Sequence, residues 1–207
     1  LPLPVLTKTI TGDPAGPGAS VTLEFTIQNT DPESSLTEIT FVDDLGAFLS
    51  GLLVFDLPSP GFCGPGSSLT VLSSPSGLVL SLGDFFGNGR GALDPGGSCT
   101  FDMTLQLPAD AQGGTYVNTT SQVLGLLGEE IPVVGDPAED EMVVVGAPSL
   151  SKNFTDDPAA PGDLVTLEFT LSHSAEAPGD ATGISFTDDL DAALSGLAAT
   201  GLPASDV

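Results

Sequence analysis

The chain has almost no positive charge. Its 207 residues include 3 Lys and Arg against 28 Asp and Glu, a net charge of −25. Nothing here can neutralise a row of phosphates, which excludes nucleic-acid binding. An anionic membrane surface is disfavoured for the same reason. Tryptophan is absent and Tyr116 is the only tyrosine, which counts against an aromatic platform for sugar rings. One histidine (His173) and two cysteines are too few for a zinc site. Neither a Gly-x-Ser-x-Gly elbow nor a His-Glu-x-x-His pair occurs, and no polar constellation suggests an enzyme. No apolar run reaches the ~18 residues that a membrane-spanning helix needs, so no membrane insertion is expected in this segment. No 3.6-residue apolar period persists, so any helix should be a single turn.

What the chain does have is a core. Hydrophobic residues make up 40% and charged residues only 15%, a balance that separates it from disordered acidic chains. Its 26 Gly and 18 Pro fall as punctuation between short Val, Leu, Ile, Phe and Thr runs. That pattern predicts an all-β sandwich or barrel with turn-bounded strands. Alternation puts Leu6, Lys8 and Ile10 on one face, Val21, Leu23, Phe25 and Ile27 on another, and Ile39, Phe41 and Asp43 on a third. Later strands are expected at Ser68–Leu72, Gly77–Leu82, Cys99–Leu107, Thr115–Leu127 and Glu141–Gly146, eight or nine in all, an Ig-like count.

A repeat sets the organisation. Leu6-Thr7-Lys8-Thr9-Ile10 returns as Leu150-Ser151-Lys152-Asn153-Phe154, and Val21-Thr22-Leu23-Glu24-Phe25-Thr26 as Val165-Thr166-Leu167-Glu168-Phe169-Thr170, at an offset of 144. After a one-residue insertion, Phe41-Val42-Asp43-Asp44-Leu45 returns as Phe186-Thr187-Asp188-Asp189-Leu190, and the match runs to Leu57-Pro58 against Leu202-Pro203. The expectation is one complete repeat, residues 1–147, and the leading part of a second, residues 148–207. Leading strands alone leave a sheet face uncovered. Either a longer continuation of this chain or another chain would supply the cover. Gly146-Ala147-Pro148 is a short join that should couple neighbours stiffly.

The runs Leu150–Gly162, Val165–Leu171, Phe186–Leu190, Gly96–Phe101 and Tyr116–Thr119, in this order, resemble a conserved repeat of prokaryotic surface proteins. That family is a domain of unknown function with an Ig-like fold. The resemblance implies tandem Ig-like β-sandwich domains with Greek-key-type connections, the second incomplete here. It also implies long arrays on envelopes, sheaths or secreted fibres, and no catalytic activity.

Three sets of residues carry chemistry. Cys63 and Cys99 suggest a disulfide, with two buried free thiols as the alternative. The acids at strand ends, Asp13, Asp43, Asp44, Asp136 and Asp140 with Asp156, Asp157, Asp188 and Asp189 in the second copy, are candidate calcium ligands. A solvated acidic surface is the competing reading. Lys8 and Lys152 occupy the same repeat position between apolar neighbours, so each should point inward and require a partner. Asp43 and Asp188 are the expected partners. The ordinary outcome is a buried Lys8–Asp43 ion pair. The alternative, implied by a resemblance to collagen-adhesin-type surface domains, is an isopeptide bond from Lys8 to Asn118 promoted by Asp43. These features suggest an extracellular or cell-surface structural protein, its partners being neighbouring repeats or copies of itself in a homopolymer stiffened by calcium. An adhesin or carbohydrate-binding stalk, with its binding module outside this segment, is the alternative.

Overall fold

Period-two burial decides the layers. A computed structural model describes residues 2–83, 87–128, 130–175, 177 and 180–201. The elements run β1 (Val5–Thr11), β2 (Ser20–Gln28), β3 (Leu36–Asp44), α1 (Leu45–Phe48), β4 (Leu53–Phe55), β5 (Leu69–Ser74), β6 (Gly77–Leu82) and β7 (Gly91–Leu93). They continue with β8 (Ser98–Gln106), β9 (Gly114–Thr119), β10 (Val123–Leu127), β11 (Ile131–Gly135), β12 (Glu139–Val144), β13 (Ser149–Phe154), β14 (Leu167–Ser172) and α2 (Leu190–Ala193). Both helices among the described residues are single turns.

One sheet is antiparallel in the order β1-β2-β8-β4, and the other runs β11-β10-β3-β6-β5 with β7 also on β3. The β9–β12 pair connects them. Its β9 end meets β3 through an Asp43–Thr120 bridge, and β12 runs parallel to the chain just past β1 through Ala15 and Val144. The result is an all-β, Ig-like sandwich. Inward residues of β1, β2 and β8 alternate strictly, with Leu6, Lys8 and Ile10 facing the same interior as Phe25 and Phe101. Phe25, Phe41 and Phe101 form its centre, with ring centroids 5.1, 5.5 and 6.5 Å apart.

Three departures from expectation have local causes. The run Thr115–Leu127 is two strands, because the chain changes partner at Thr120–Ser121. Thr120 exchanges bonds with Ala138 beside β12, while Ser121 N donates to the Val42 carbonyl of β3 at 2.7 Å. The three-residue strands β4 and β7 are too short to show alternation. β11 contains Pro132, which an outermost strand tolerates because one side of it makes no ladder bonds.

The β13–β14 pair has the same register as β1–β2. Lys152 lies opposite Phe169 on β14 as Lys8 lies opposite Phe25 on β2. Asp189 accepts from Ala192 N at the start of α2, as Asp44 accepts from Ala47 N at α1. Yet β13 is exposed along its whole length, whereas alternate residues of β1 are buried. Leu202 and Pro203, the far end of the sequence match, lie outside the described residues.

The disulfide between Cys63 and Cys99 is formed, with a Cα–Cα distance of 5.4 Å across 36 residues. Beside it, Gly64 has φ +93°, and a Cβ there would sit 2.3 Å from the Ala92 carbonyl oxygen. Only glycine permits that approach, which lets Ala92 N donate to the Cys63 carbonyl at 2.7 Å. Replacing both cysteines by alanine should cost about 3–4 kcal/mol in the loop-entropy account. For a chain of this size that is a fall of roughly 6–16 °C in melting temperature. Thermal denaturation followed by circular dichroism checks it, and an unchanged midpoint would contradict it.

Candidate functional site

Strand phase brings three polar side chains into the apolar interior. β1 delivers Lys8, whose side chain is fully buried. β3 delivers Asp43, and here the backbone must first correct its own phase. Leu36 faces the core, and so do Ile39, Phe41 and Asp43, which fall on the opposite parity. The switch occurs across a register shift at Glu38, whose φ of +53° marks the irregularity. β9 delivers Asn118, the one buried residue of that strand.

The three meet on a single atom. Lys8 Nζ donates to Asp43 Oδ2 at 2.7 Å, and Asn118 Nδ2 donates to the same oxygen at 3.2 Å. The other carboxylate oxygen, Oδ1, is buried and has no hydrogen-bond partner. The Lys8 ammonium also lies 5.5 Å from the centre of the Phe25 ring. Desolvation governs both ionisations. Burial pulls the Lys8 pKa below its ordinary value and lifts that of Asp43, and in each case the attraction of the partner only partly opposes it. Both shifts favour the neutral forms.

The second copy holds the same pair in a different setting. Lys152 Nζ donates to Asp188 Oδ1 at 2.6 Å, but the two side chains keep 34% and 23% of their exposure. Water therefore reaches this pair, which removes the desolvation that perturbs Lys8.

The acids considered for calcium are dispersed. Asp13 Oδ2 accepts from Val143 N at 3.0 Å and Asp140 Oδ2 from Ile10 N at 2.6 Å, so these two stitch the β1–β12 seam where no ladder forms. Asp44 and Asp189 cap the helical turns, and Asp44 also accepts from Ser76 Oγ. Asp156 Oδ2 accepts from Thr166 N at 2.7 Å, and hydrogen bonding from the Thr166 side chain first, then from its backbone, holds the Asp156 pKa below the usual value. Asp43 and Asp188 bind the lysines, while Asp136 and Asp157 lie exposed. Among the described residues no three Asp, Glu, His or Cys side chains gather as a metal site requires.

Sequence reasoning gives no sign that Asp31 is buried. Its Oδ1 accepts from Glu33 N and Ser34 N in a local turn. The Asp-Pro pair there reads as a turn signal, and a turn is what the side chain closes.

A family model described as Domain of unknown function (DUF7933) matches residues 4–144. The chain belongs to this family. No curated protein is significantly similar to it. Among solved structures it is similar to the full-length major pilin SpaD of Corynebacterium diphtheriae at 15% identity and a TM-score of 0.47, covering 79% of this chain and 40% of that one. A variant of the major pilin subunit BcpA of Bacillus cereus gives 13% and 0.44, covering 71% and 41%. A cohesin module from a Clostridium perfringens family 33 glycoside hydrolase gives 12% and 0.43, covering 71% and 100%. The chain thus spans about two fifths of the length of the two pilins. With identities and scores this low, these likenesses transfer no function to the family member described here.

Removing one partner of a buried pair strands the other without water. Lys8→Met alone should therefore destabilise the chain by about 3–5 kcal/mol, whereas Lys8→Met with Asp43→Leu should recover much of that loss. Urea denaturation of the two variants checks it. Equal stabilities would show that Asp43 does not depend on Lys8.

Proposed function

We propose that the chain is a structural module of an extracellular or cell-surface assembly, one unit of a tandem array stacked end to end. One observation carries this reading. The groups with the greatest chemical potential, Lys8, Asp43 and Asn118, face the interior and tie strands distant in sequence together. A side chain that acts on a substrate must reach it, and these are aimed at each other. The disulfide supports an oxidising compartment. The repeat of β1 and β2 in β13 and β14, register included, supports an array. A charge of −25 keeps such an array soluble and turns anionic surfaces away.

Calcium is not required in this reading. The carboxylates expected to hold it are engaged by backbone N–H groups, hydroxyls and lysines, or lie apart in solvent. Against a carbohydrate-binding role for this segment, the ring of Tyr116 packs edge-on against Phe48 and its hydroxyl donates to the Gln112 carbonyl.

Two measurements test the reading. Immunogold labelling of the source material with antibodies against this chain should decorate filaments or a coat at regular intervals. Label confined to the cell interior would overturn the proposal, and label on isolated rods would favour the stalk. The melting temperature should be unmoved by EDTA and should rise with monovalent salt as self-repulsion is screened. A large fall with EDTA alone would restore calcium to the joints.

A further inference from the structure

We infer that Lys8 and Asn118 become joined by an intramolecular amide bond, formed by the folded protein itself with release of ammonia and with Asp43 as the proton carrier. The geometry already assembles the reactants. Lys8 Nζ and Asn118 Nδ2 hang from the same oxygen of Asp43, so amine and carboxamide are neighbours with a carboxyl group between them. All three residues are buried, at 6%, 0% and 1% exposure, so water neither solvates the amine nor competes for the carboxamide. Burial favours the uncharged amine and the protonated acid, the pair of states that nucleophilic attack on an amide requires. Asp43 Oδ1, buried and unpartnered, is the position open to the proton.

The steps balance without an outside reagent. The Lys8 ammonium passes a proton to Asp43, giving a neutral amine and a neutral acid. The Nζ lone pair attacks Asn118 Cγ, and the acid donates its proton to the carbonyl oxygen as that oxygen gains charge. The carboxylate then removes a proton from Nζ and delivers it to Nδ2. The Cγ–Nδ2 bond breaks, the carbonyl re-forms, and ammonia departs. A Cγ–Nζ amide has formed, and the proton left by the collapsing hydroxyl returns to Asp43. Nothing is oxidised or reduced. Orientation supplies the acceleration, because the groups are held in place by strands that the core has already fixed.

The bond would tie β1 to β9, so that tension on the chain ends passes from residue 8 to residue 118 and bypasses everything between. Chemically it stands apart from the structural reading and holds whether or not the module carries tension. Lys152 is the internal control: it has the same carboxylate contact with Asp188, but the 207 residues include no counterpart of Asn118 for it to attack.

Intact mass of the full, folded chain after disulfide reduction should lie about 17 Da below the sequence value, the mass of one ammonia. The loss must be located, because Asn88-Gly89 can shed ammonia as a succinimide. Trypsin has three sites, after Lys8, Arg90 and Lys152. The reduced digest should lack cleavage after Lys8 and contain residues 1–90 and 91–152 as one covalent species, with normal cleavage after Lys152. Lys8→Arg, which keeps a cation for Asp43 but offers a far weaker nucleophile, should show the sequence mass, be cleaved after residue 8 and release residues 9–90 and 91–152 separately. Folding of that variant is followed by circular dichroism, but the natural sequence alone decides the outcome. A folded chain at its full sequence mass, or one whose loss maps to Asn88, overturns the inference.

Discussion

A lysine on an edge strand cannot be taken out of water without a partner, and that constraint shapes the sandwich. β1 lies at the end of its sheet, where one flank makes no ladder bonds. Turning Lys8 inward commits the strand to an interior polar contact, which only the opposite sheet can provide. Asp43 supplies it from β3, and the phase correction at Glu38 is the local cost of doing so while keeping Leu36, Ile39 and Phe41 in the core. Asn118 then meets the same carboxylate from β9. Desolvation makes the contact obligatory, and the contact joins the sheets at a point where apolar packing alone would let them slide.

The acidic excess takes a different form in each environment. At the β1–β12 seam, Asp13 and Asp140 accept backbone N–H groups that a ladder would otherwise satisfy. At the two helical turns, Asp44 and Asp189 do the work of N-caps. A carboxylate used this way contributes without any cation, so a large negative charge and a stable fold are compatible. The disulfide acts in the remaining region, anchoring the segment between α1 and β5 to β8. Different parts of the molecule are thus held by different chemistry.

Much of this was legible in the residues because period-two alternation reports directly on which face is buried. The inward Lys8 and its partner Asp43 follow from parity, and composition favoured the Cys63–Cys99 link over free thiols, whereas Asn118 entered only through a family resemblance. Three things were hidden. Parity cannot reveal a partner exchange within one apolar run, so Thr115–Leu127 read as a single strand. Strands of three residues carry no period. Acids clustered in sequence at strand ends suggest shared ligands, yet Asp13, Asp44, Asp140, Asp156 and Asp189 accept backbone N–H groups, Asp43 and Asp188 meet lysines, and Asp136 and Asp157 lie in solvent. The sequence likeness of residues 6–10 to 150–154 agrees with the shared register of β1–β2 and β13–β14, but burial could not be read from it, since that depends on what covers the pair.

Although β1 is an edge strand, its buried lysine fixes it to the interior, and native-state hydrogen exchange measures this directly. The β1 amides bonded to β2 should exchange only through global unfolding, with the same opening free energy as those of β2 bonded to β8. If β1 instead exchanges by local fraying at a much lower free energy while β2 stays protected, the buried pair does not hold the strand.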